Sequence, residues 1–288
     1  MKDVIIIGSG PAGLSAALYT CRAGLSTTII GLGYGALERA EKIENYFGLP
    51  NPVSGKELLE TGLMQAERLG AERVSDEVLD ISWADGFTII TKNNAFKAKC
   101  VILTTGASRK KLRIKGLDTF EGKGVSYCAV CDAFFYRKKQ VAVIGSGEYA
   151  LHEINELLPV ASSVTLFTDG KELEADIPSS VRVIGTPIAE VYGGNKLEGI
   201  ELMDNGRVSV SGVFIAVGTA AATDLAKKLG VETNGNSILV DEKMSTNVPG
   251  MFAAGDCTGG VMQISVAVGE GAKAALSAIE FIRKGEKS

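Results

Sequence analysis

The stretch that decides the fold is Val4-Ile5-Ile6-Ile7 followed by Gly8-Ser9-Gly10-Pro11-Ala12-Gly13. The four apolar residues predict a buried strand, and the glycines after it open a helical run that extends to Ala23. In this pattern Gly8 allows a tight turn, Gly10 lets the backbone reach a pyrophosphate, and Gly13 lets the helix pack on the strand. Because a helix N-terminus favours anions, the pattern predicts a dinucleotide site at the start of the chain.

The same order of strand, glycine turn and helix recurs further along the chain. Val141–Ile144 is followed by Gly145-Ser146-Gly147-Glu148-Tyr149-Ala150, and the next strand is expected at Val164–Phe167. The repeat predicts an α/β protein with two Rossmann-like, three-layer domains. Only 14 residues, among them Pro178, separate Phe167 from Arg182, which leaves little room for a crossover helix, so we expect the second domain to be truncated.

Composition excludes several classes of protein. The 288 residues are 45% apolar and 22% charged, the balance of a globular protein rather than a disordered one. A net charge of −4 gives no reason to expect a nucleic acid or an anionic membrane as partner. No apolar run is long enough for a membrane-spanning helix and no signal peptide is visible, so we expect a cytoplasmic protein.

One cysteine pair stands out, in Cys128-Ala129-Val130-Cys131-Asp132. Two thiols at this spacing at a helix start can close a small disulfide, and the helix dipole stabilises a thiolate. No second Cys or His pair at ligand spacing exists, so we predict no metal site. Asp132 is the nearby group that can move a proton, although a helix cap would also explain an acid there.

The motifs together resemble those of the low-molecular-weight thioredoxin reductases, over nearly the whole chain. The resemblance rests on the first glycine turn, the Cys-x-x-Cys-Asp motif and four further segments: Glu44-Asn45-Tyr46, Thr104-Thr105-Gly106-Ala107, Phe134-Phe135-Tyr136-Arg137, and Phe252-Ala253-Ala254-Gly255-Asp256 with Gln263. It implies an FAD domain at residues 1–111 and 212–288. It also implies an inserted redox-disulfide domain at residues 112–211, and a homodimer.

The resemblance also implies roles for individual residues. Cys131 would face the flavin, Cys128 would attack the substrate disulfide, and Asp132 would be the acid/base. Asp256 would hold the ribityl–phosphate end of FAD, and Gln263 would lie by the isoalloxazine. The residues expected to bind FAD are Gly8, Gly10, Pro11, Ala12, Gly13, Asn45, Thr105, Gly106, Gly255, Asp256, Gln263 and Ile264. The second predicted strand, Thr27–Ile30, ends in Gly31-Leu32-Gly33 without the usual acid for a ribose, so the sugar must be held differently.

The second nucleotide site departs from the family pattern. Where the family has basic residues for NADPH, this chain has Thr168-Asp169-Gly170, and Glu148 falls in the phosphate turn. A 2′-phosphate needs Arg or Lys, so no NADPH is expected. NADH remains an alternative, since Asp169 lies about 20 residues past the turn, where an acid can bind a ribose.

A flavin disulfide reductase without a nicotinamide site needs another electron donor. The combination resembles the ferredoxin-dependent flavin thioredoxin reductases, which implies ferredoxin and thioredoxin as partners. Residues 109–139 hold nine basic and three acidic residues, a net charge of +6 that leaves −10 for the remainder. Such a segment would steer an acidic ferredoxin, although a solvated hinge would explain the same charges.

Three other functions stay open at this point. One is an NAD(P)H-dependent thioredoxin reductase with an atypical site. Another is an FAD-dependent small-molecule dithiol oxidase that uses oxygen. The third is a flavin-binding module without activity, against which the intact Cys-x-x-Cys-Asp motif argues.

Overall fold

The computed structural model describes residues 1–106, 112–218, 220 and 222–285, with the exception of the Cys131 side chain. The chain divides into two compact units. The first consists of Met1–Arg109 and Ala221–Ser288, and the second is Lys110–Ala220.

The first segment of the first unit builds most of a seven-stranded sheet. Its elements are β1 (Lys2–Ile7), α1 (Pro11–Arg22), β2 (Thr27–Ile30), a 3-10 helix (Ala36–Arg39), α2 (Gly55–Arg68), β3 (Glu72–Val74), β4 (Val78–Ala84), β5 (Gly86–Thr91) and β6 (Ala95–Leu103). Strands β3, β2, β1 and β6 lie side by side in parallel, and β4 and β5 extend the sheet as an antiparallel meander. Residues 4–7 of β1 are fully buried, as a parallel strand covered on both faces requires.

The second unit repeats this parallel arrangement. Its elements are β7 (Val125–Ser126), α3 (Ala129–Asp132), a 3-10 helix (Ala133–Tyr136), β8 (Gln140–Ile144), α4 (Glu148–Leu157), β9 (Ser163–Phe167), β10 (Arg182–Ile184), β11 (Ile188–Gly193), β12 (Leu197–Leu202), β13 (Arg207–Ser209) and β14 (Gly212–Ile215). A parallel sheet has the order β10-β9-β8-β14-β7, and β11, β12 and β13 form a separate antiparallel sheet. Residues 168–181 are all described and contain no helix, so β9 and β10 pair without the usual crossover helix, as expected.

The end of the second unit lies later than the sequence suggested. We expected the chain to return to the first domain at residue 212, but β14 pairs in parallel with both β8 and β7. The first unit resumes at residue 221. The reason is physical: β14 is an apolar, buried strand that lies inside the second sheet, between β8 and β7.

The last segment completes the first unit. It contains α5 (Ala222–Lys228), β15 (Thr233–Asn234), β16 (Ser237–Ile238), β17 (Met251–Ala253), a 3-10 helix (Asp256–Thr258) and α6 (Ile264–Gly285). Strand β17 pairs in parallel with β6, and α6 packs closely on α1, where the Ser15 hydroxyl donates to the Val268 carbonyl at 2.8 Å. In the described part of the chain no helix is both long and apolar enough to cross a lipid bilayer.

Candidate active site

The first glycine turn joins β1 to α1 through direct backbone contacts. Gly8 has a φ of +117°, and a Cβ there would lie 2.4 Å from the Thr104 carbonyl oxygen. A Cβ at Gly13 would lie 2.0 Å from the Gly8 carbonyl oxygen. The Thr104 hydroxyl lies 3.0 Å from the carbonyl oxygens of Ile7 and Gly8, to which it can donate. Neither glycine can carry a side chain, because β1, α1 and the end of β6 meet backbone to backbone.

Gly10 faces open space. A Cβ there would meet no atom within 4 Å, in contrast to Gly8 and Gly13. Gly10 is the N-cap of α1, without a side-chain cap, and the first turn contains no acidic residue. The free amide groups of this helix end therefore point into an accessible space, which fits a bound pyrophosphate.

An acidic side chain from further along the chain lies near the end of β2. The Ser9 hydroxyl donates to the Gly33 carbonyl and ties the glycine turn to this end. A carboxylate oxygen of Glu38, in the 3-10 helix that follows β2, lies 3.7 Å from the position of a Cβ on Gly33. Glu38 could accept a hydrogen bond from a ribose hydroxyl, a role for which the sequence offers no residue directly after β2.

The turn after β17 lies against the start of α1. Gly255 has a φ of +80°, and a Cβ there would lie 3.0 Å from the Ala12 Cβ. Glu270 of α6 holds this turn, since it accepts from the Gly255 amide at 2.8 Å and from the Thr258 hydroxyl at 3.3 Å. Burial raises the pKa of Asp256. A hydroxyl group of a bound ligand could donate a hydrogen bond to this carboxylate and so replace the water that burial removes.

Two predicted flavin contacts from distant parts of the chain meet directly. The Asn45 side-chain amide donates to the Gln263 side-chain oxygen at 3.3 Å, across 218 residues of sequence. Gln263 immediately precedes Ile264, the first residue of α6. Thr105 and Gly106 follow β6, and Gly106 has a φ of +78°.

These residues fit FAD. The turns after β1, β6 and β17 lie at one edge of the parallel sheet, where open α/β sheets bind their ligands. The open space at Gly10 and the uncompensated burial of Asp256 are the two features that a dinucleotide would satisfy. When it is bound, FAD would serve as the redox centre of this site, because it can accept electrons and pass them on.

The cysteine motif lies between β7 and α3 in the second unit. Cys128 is disulfide-bonded and buried, whereas Cys21, Cys100 and Cys257 are free thiols. Cys131 is the third residue of α3, and its side chain lies outside the described part of the chain. The pairing of Cys128 with Cys131 therefore stays a prediction.

Ser126 connects Asp132 to the backbone of Cys128. Its hydroxyl donates to Asp132 Oδ2 at 2.7 Å and accepts from the Cys128 amide at 3.1 Å. This contact fixes the carboxylate of the predicted acid/base with respect to the cysteine motif. Ser126 is absent from the residues predicted from the sequence, because a serine two residues before a cysteine is not a recognised signal.

The aromatic residues after α3 point in different directions. Tyr136 is packed edge to face on Phe214, with ring centroids 5.2 Å apart, and a Cβ at Gly212 would clash with its ring. Burial, with a contribution from the Asp132 charge, raises the pKa of Tyr136. Phe134 and Phe135 are 74% and 67% exposed. The segment after the cysteine motif is thus anchored by one ring and presents two rings to solvent.

The second glycine turn has the same backbone contact as the first but is covered. A Cβ at Gly145 would lie 2.2 Å from the Ala216 carbonyl oxygen, so β8 and its neighbour also meet closely. The Glu174 amide donates to the Ser146 carbonyl at 2.8 Å. A Glu174 carboxylate oxygen lies 3.5 Å from the position of a Cβ on Gly147, the counterpart of Gly10. Ser146 and Gly147 are buried by the protein itself.

Asp169, the candidate ligand for an NADH ribose, has a structural role. Its backbone has a φ of +51°, and its carboxylate accepts from the Ile188 amide at 2.8 Å. The side chain therefore stabilises the connection between β9 and β11. This contact accounts for an acid at that position without a nucleotide.

Several sequence-based expectations fall on residues that the structure does not describe. They are Ala107 of the Thr-Thr-Gly-Ala motif and Arg109, Lys110 and Lys111 of the basic segment. Cys257, whose role the sequence left open, is described and buried. Its thiol lies 3.4 Å from the Leu103 carbonyl oxygen and 3.3 Å from that of Ala254, and burial raises its pKa to about 12.

Known proteins are similar to this chain over most of its length. The model of the pyridine nucleotide-disulphide oxidoreductase family matches residues 2–271. A thioredoxin reductase of Aquifex aeolicus is 38% identical, over 97% of this chain and 93% of that protein.

Two solved structures are similar over nearly their whole length. The atypical thioredoxin reductase TRi of Desulfovibrio vulgaris Hildenborough has a TM-score of 0.94 and 42% identity, with 99% of both chains covered. A ferredoxin-flavin thioredoxin reductase of Clostridium acetobutylicum has a TM-score of 0.75 and 35% identity, with 98% of both chains covered. With its two glycine turns, its bonded Cys128 and these relatives, the chain belongs to the pyridine nucleotide-disulphide oxidoreductase family, among the low-molecular-weight thioredoxin reductases.

Proposed function

We propose that this protein is a ferredoxin-dependent thioredoxin reductase that does not use NADPH or NADH. Two reduced ferredoxins would each give one electron, FAD would be bound by the first unit, and the Cys128/Cys131 pair would reduce the disulfide of thioredoxin. The observation that carries the proposal is the covered second glycine turn. A pyridine nucleotide needs this turn, and Glu174 lies over it.

Electrostatics support the absence of a nucleotide in the second unit. Glu148 lies in the first turn of α4, and the Glu174 carboxylate adds a second negative charge beside the same helix end. Both charges oppose a pyrophosphate. The crossover helix after β9 is absent, and Asp169 is engaged by the Ile188 amide.

The cysteine pair would act by thiol–disulfide exchange. The Cys128 thiolate attacks one sulfur of the thioredoxin disulfide, a mixed disulfide forms, and the other thioredoxin sulfur leaves with a proton from Asp132. The Cys131 thiolate then attacks Cys128, which restores the internal disulfide and releases the second thioredoxin thiolate. Phe134 and Phe135 offer an apolar contact to a protein substrate beside this site.

Basic side chains in the second unit suit an acidic electron donor. The exposed Lys138 and Lys139 belong to the segment of net charge +6, within a chain of −4. Ferredoxin would be attracted at long range, while the rest of the surface repels it weakly. By its resemblance to the family, we expect the enzyme to act as a homodimer.

The decisive experiment is an anaerobic reduction assay with the FAD-loaded protein. Reduced ferredoxin, NADPH and NADH are each offered as donor, and flavin bleaching and thioredoxin thiols are followed together. We expect bleaching and thioredoxin reduction with ferredoxin only. Rapid bleaching by either nucleotide would contradict the proposal.

The same assay with oxygen separates the dithiol oxidase from the reductase. In air, the protein is given a small dithiol and oxygen consumption is recorded, with thioredoxin offered in a parallel sample. Fast oxygen consumption without thioredoxin reduction would assign the oxidase activity instead.

A further inference from the structure

A buried carboxylate lies next to the cysteine motif, and no motif in the sequence accounts for it. Glu153 of α4 is only 1% exposed, and its Oε2 accepts from the amide of Ala129 at 2.5 Å. Ala129 directly follows Cys128 and begins α3. A charged group is rarely buried without a reason, because its desolvation is costly.

Glu153 acts together with a second side chain on the same face of α4. Tyr149 lies one helical turn earlier, and its hydroxyl donates to the Tyr127 carbonyl at 3.2 Å. The two side chains therefore hold the backbone on either side of Cys128. They differ in charge: Tyr149 is a neutral donor, and Glu153 brings a carboxylate.

We propose that Glu153 is a positioning residue that keeps the reduced Cys128 as a weaker acid and makes the cysteine pair a stronger reductant. The inference rests on the proposed role of Cys128 as the thiol that attacks thioredoxin. A negative charge close to a sulfur disfavours its thiolate. A dithiol whose thiolate is destabilised is oxidised more easily, which favours transfer of electrons to thioredoxin.

The elements in contact with Glu153 carry other titratable groups. Helix α3 also carries Asp132, which Ser126 holds, the segment before it carries Tyr127, and the 3-10 helix after it carries Tyr136. Helix α4 also carries Glu148, Tyr149, His152 and Glu156. Glu156 is exposed, so its charge is screened by water, whereas that of Glu153 is not.

The test uses the FAD-loaded protein in four forms: wild type, Glu153→Gln, Glu156→Gln and Tyr149→Phe. Each is reduced with dithiothreitol and desalted without oxygen. Iodoacetamide labelling of Cys128 is then measured by mass spectrometry as a function of pH, and the thiol–disulfide equilibrium is measured in glutathione buffers. Glu156→Gln removes the same charge from the exposed face of the same helix. Tyr149→Phe removes the neighbouring hydrogen bond without changing the charge.

We expect Glu153→Gln to lower the pKa of the Cys128 thiol by about one unit. The thiol–disulfide equilibrium should shift by up to about tenfold towards the dithiol, or about 30 mV. Both controls should behave as wild type. An unchanged thiol pKa in Glu153→Gln, or an equal shift in Tyr149→Phe, would overturn the inference.

Two further outcomes are distinguishable. If Glu153→Gln does not retain FAD, Glu153→Asp keeps the charge, and it should keep the wild-type thiol pKa. A pKa in Glu153→Asp that is lowered as in the uncharged variant would also overturn the inference. If Cys128 forms no reducible disulfide in wild type, the proposed function itself fails, whatever the role of Glu153.

Discussion

Gly13 and Gly10 lie in the same turn but are required for different reasons. A Cβ at Gly13 would overlap the Gly8 carbonyl, and neither backbone can move away. We expect Gly13→Ala to lower the free energy of unfolding by about 2 kcal/mol even without FAD. Gly10→Ala should leave the apoprotein stable but weaken FAD binding roughly tenfold, about 1.4 kcal/mol, since its methyl group enters the open space.

Thermal unfolding of both apoproteins and equilibrium dialysis of FAD test this pair. Equal stability of the Gly13→Ala and Gly10→Ala apoproteins would contradict the packing argument. Unchanged FAD affinity in Gly10→Ala would place the pyrophosphate elsewhere.

The acid/base role of Asp132 can be tested without breaking its contact with Ser126. Asp132→Asn retains the hydrogen bond to Ser126 but removes the titratable proton, so we expect thioredoxin reduction to slow by about 100-fold or more. The matched control is Glu121→Gln, an exposed acid of the same unit, which should have no effect. Stopped-flow exchange between the reduced enzyme and thioredoxin measures both. A wild-type rate in Asp132→Asn would leave Asp132 with a structural role only, through its contact with Ser126.

The buried free cysteines should not react with alkylating reagents in the native protein. Burial raises the pKa of both Cys100 and Cys257 to about 12, with the Asp3 charge adding to the effect at Cys100. Since these thiols are protonated far above neutrality, iodoacetamide at about pH 8 should label neither in the native protein, and both after denaturation. Native labelling of Cys257 would reopen a catalytic role for it.

At the level of elements, the two units differ in the connection that follows their second parallel strand. In the first unit, β2 and β3 are separated by α2, whereas the corresponding connection in the second unit contains no helix. The short chain folds over the glycine turn, where the Glu174 amide bonds to Ser146. The segment between β9 and β10 thus covers the second glycine turn, whereas the corresponding turn at Gly10 is open.

Glu174→Pro removes the amide that holds this segment. We expect faster hydrogen exchange of the amides at residues 145–148, because proline cannot donate to the Ser146 carbonyl. Glu172→Pro, in the same segment, is the control, and exchange at the turn should stay slow. Equal exchange in the two variants would show that another contact covers the turn. ADP should bind to neither, since Glu148 remains.

At the level of the whole molecule, the uneven charge distribution leads to a prediction about the proposed ferredoxin donor. The chain carries −4 overall, but residues 109–139 carry +6. We expect the rate of flavin reduction by ferredoxin to fall steeply with ionic strength, because long-range attraction is screened. Reduction of thioredoxin by the chemically reduced enzyme is the internal comparison, and it should be less salt-sensitive. A salt-independent ferredoxin rate would remove the electrostatic part of the proposal.

The sequence alone predicted the fold class and pointed to the residues proposed for both sites. The turn at Gly8–Gly13, the Cys-x-x-Cys-Asp motif and the α/β class follow from short, contiguous patterns, because turn geometry and strand burial depend on adjacent residues. The missing crossover helix was also predictable, since the connection from β9 to β10 is short and contains Pro178. The return of the chain to the first unit was placed too early, because β14 resembles any buried strand and its pairing partners lie far away in sequence.

Only the tertiary structure determined the contacts that hold or cover the residues of each site. Asn45 meets Gln263, Glu270 holds Gly255, Glu174 covers Ser146, and Glu153 reaches Ala129. Each contact joins residues that belong to different elements, and single acids or amides at such positions carry no periodic signal. Local physics therefore specified which groups the chain can use, and only folding determined which of them lie within hydrogen-bonding distance.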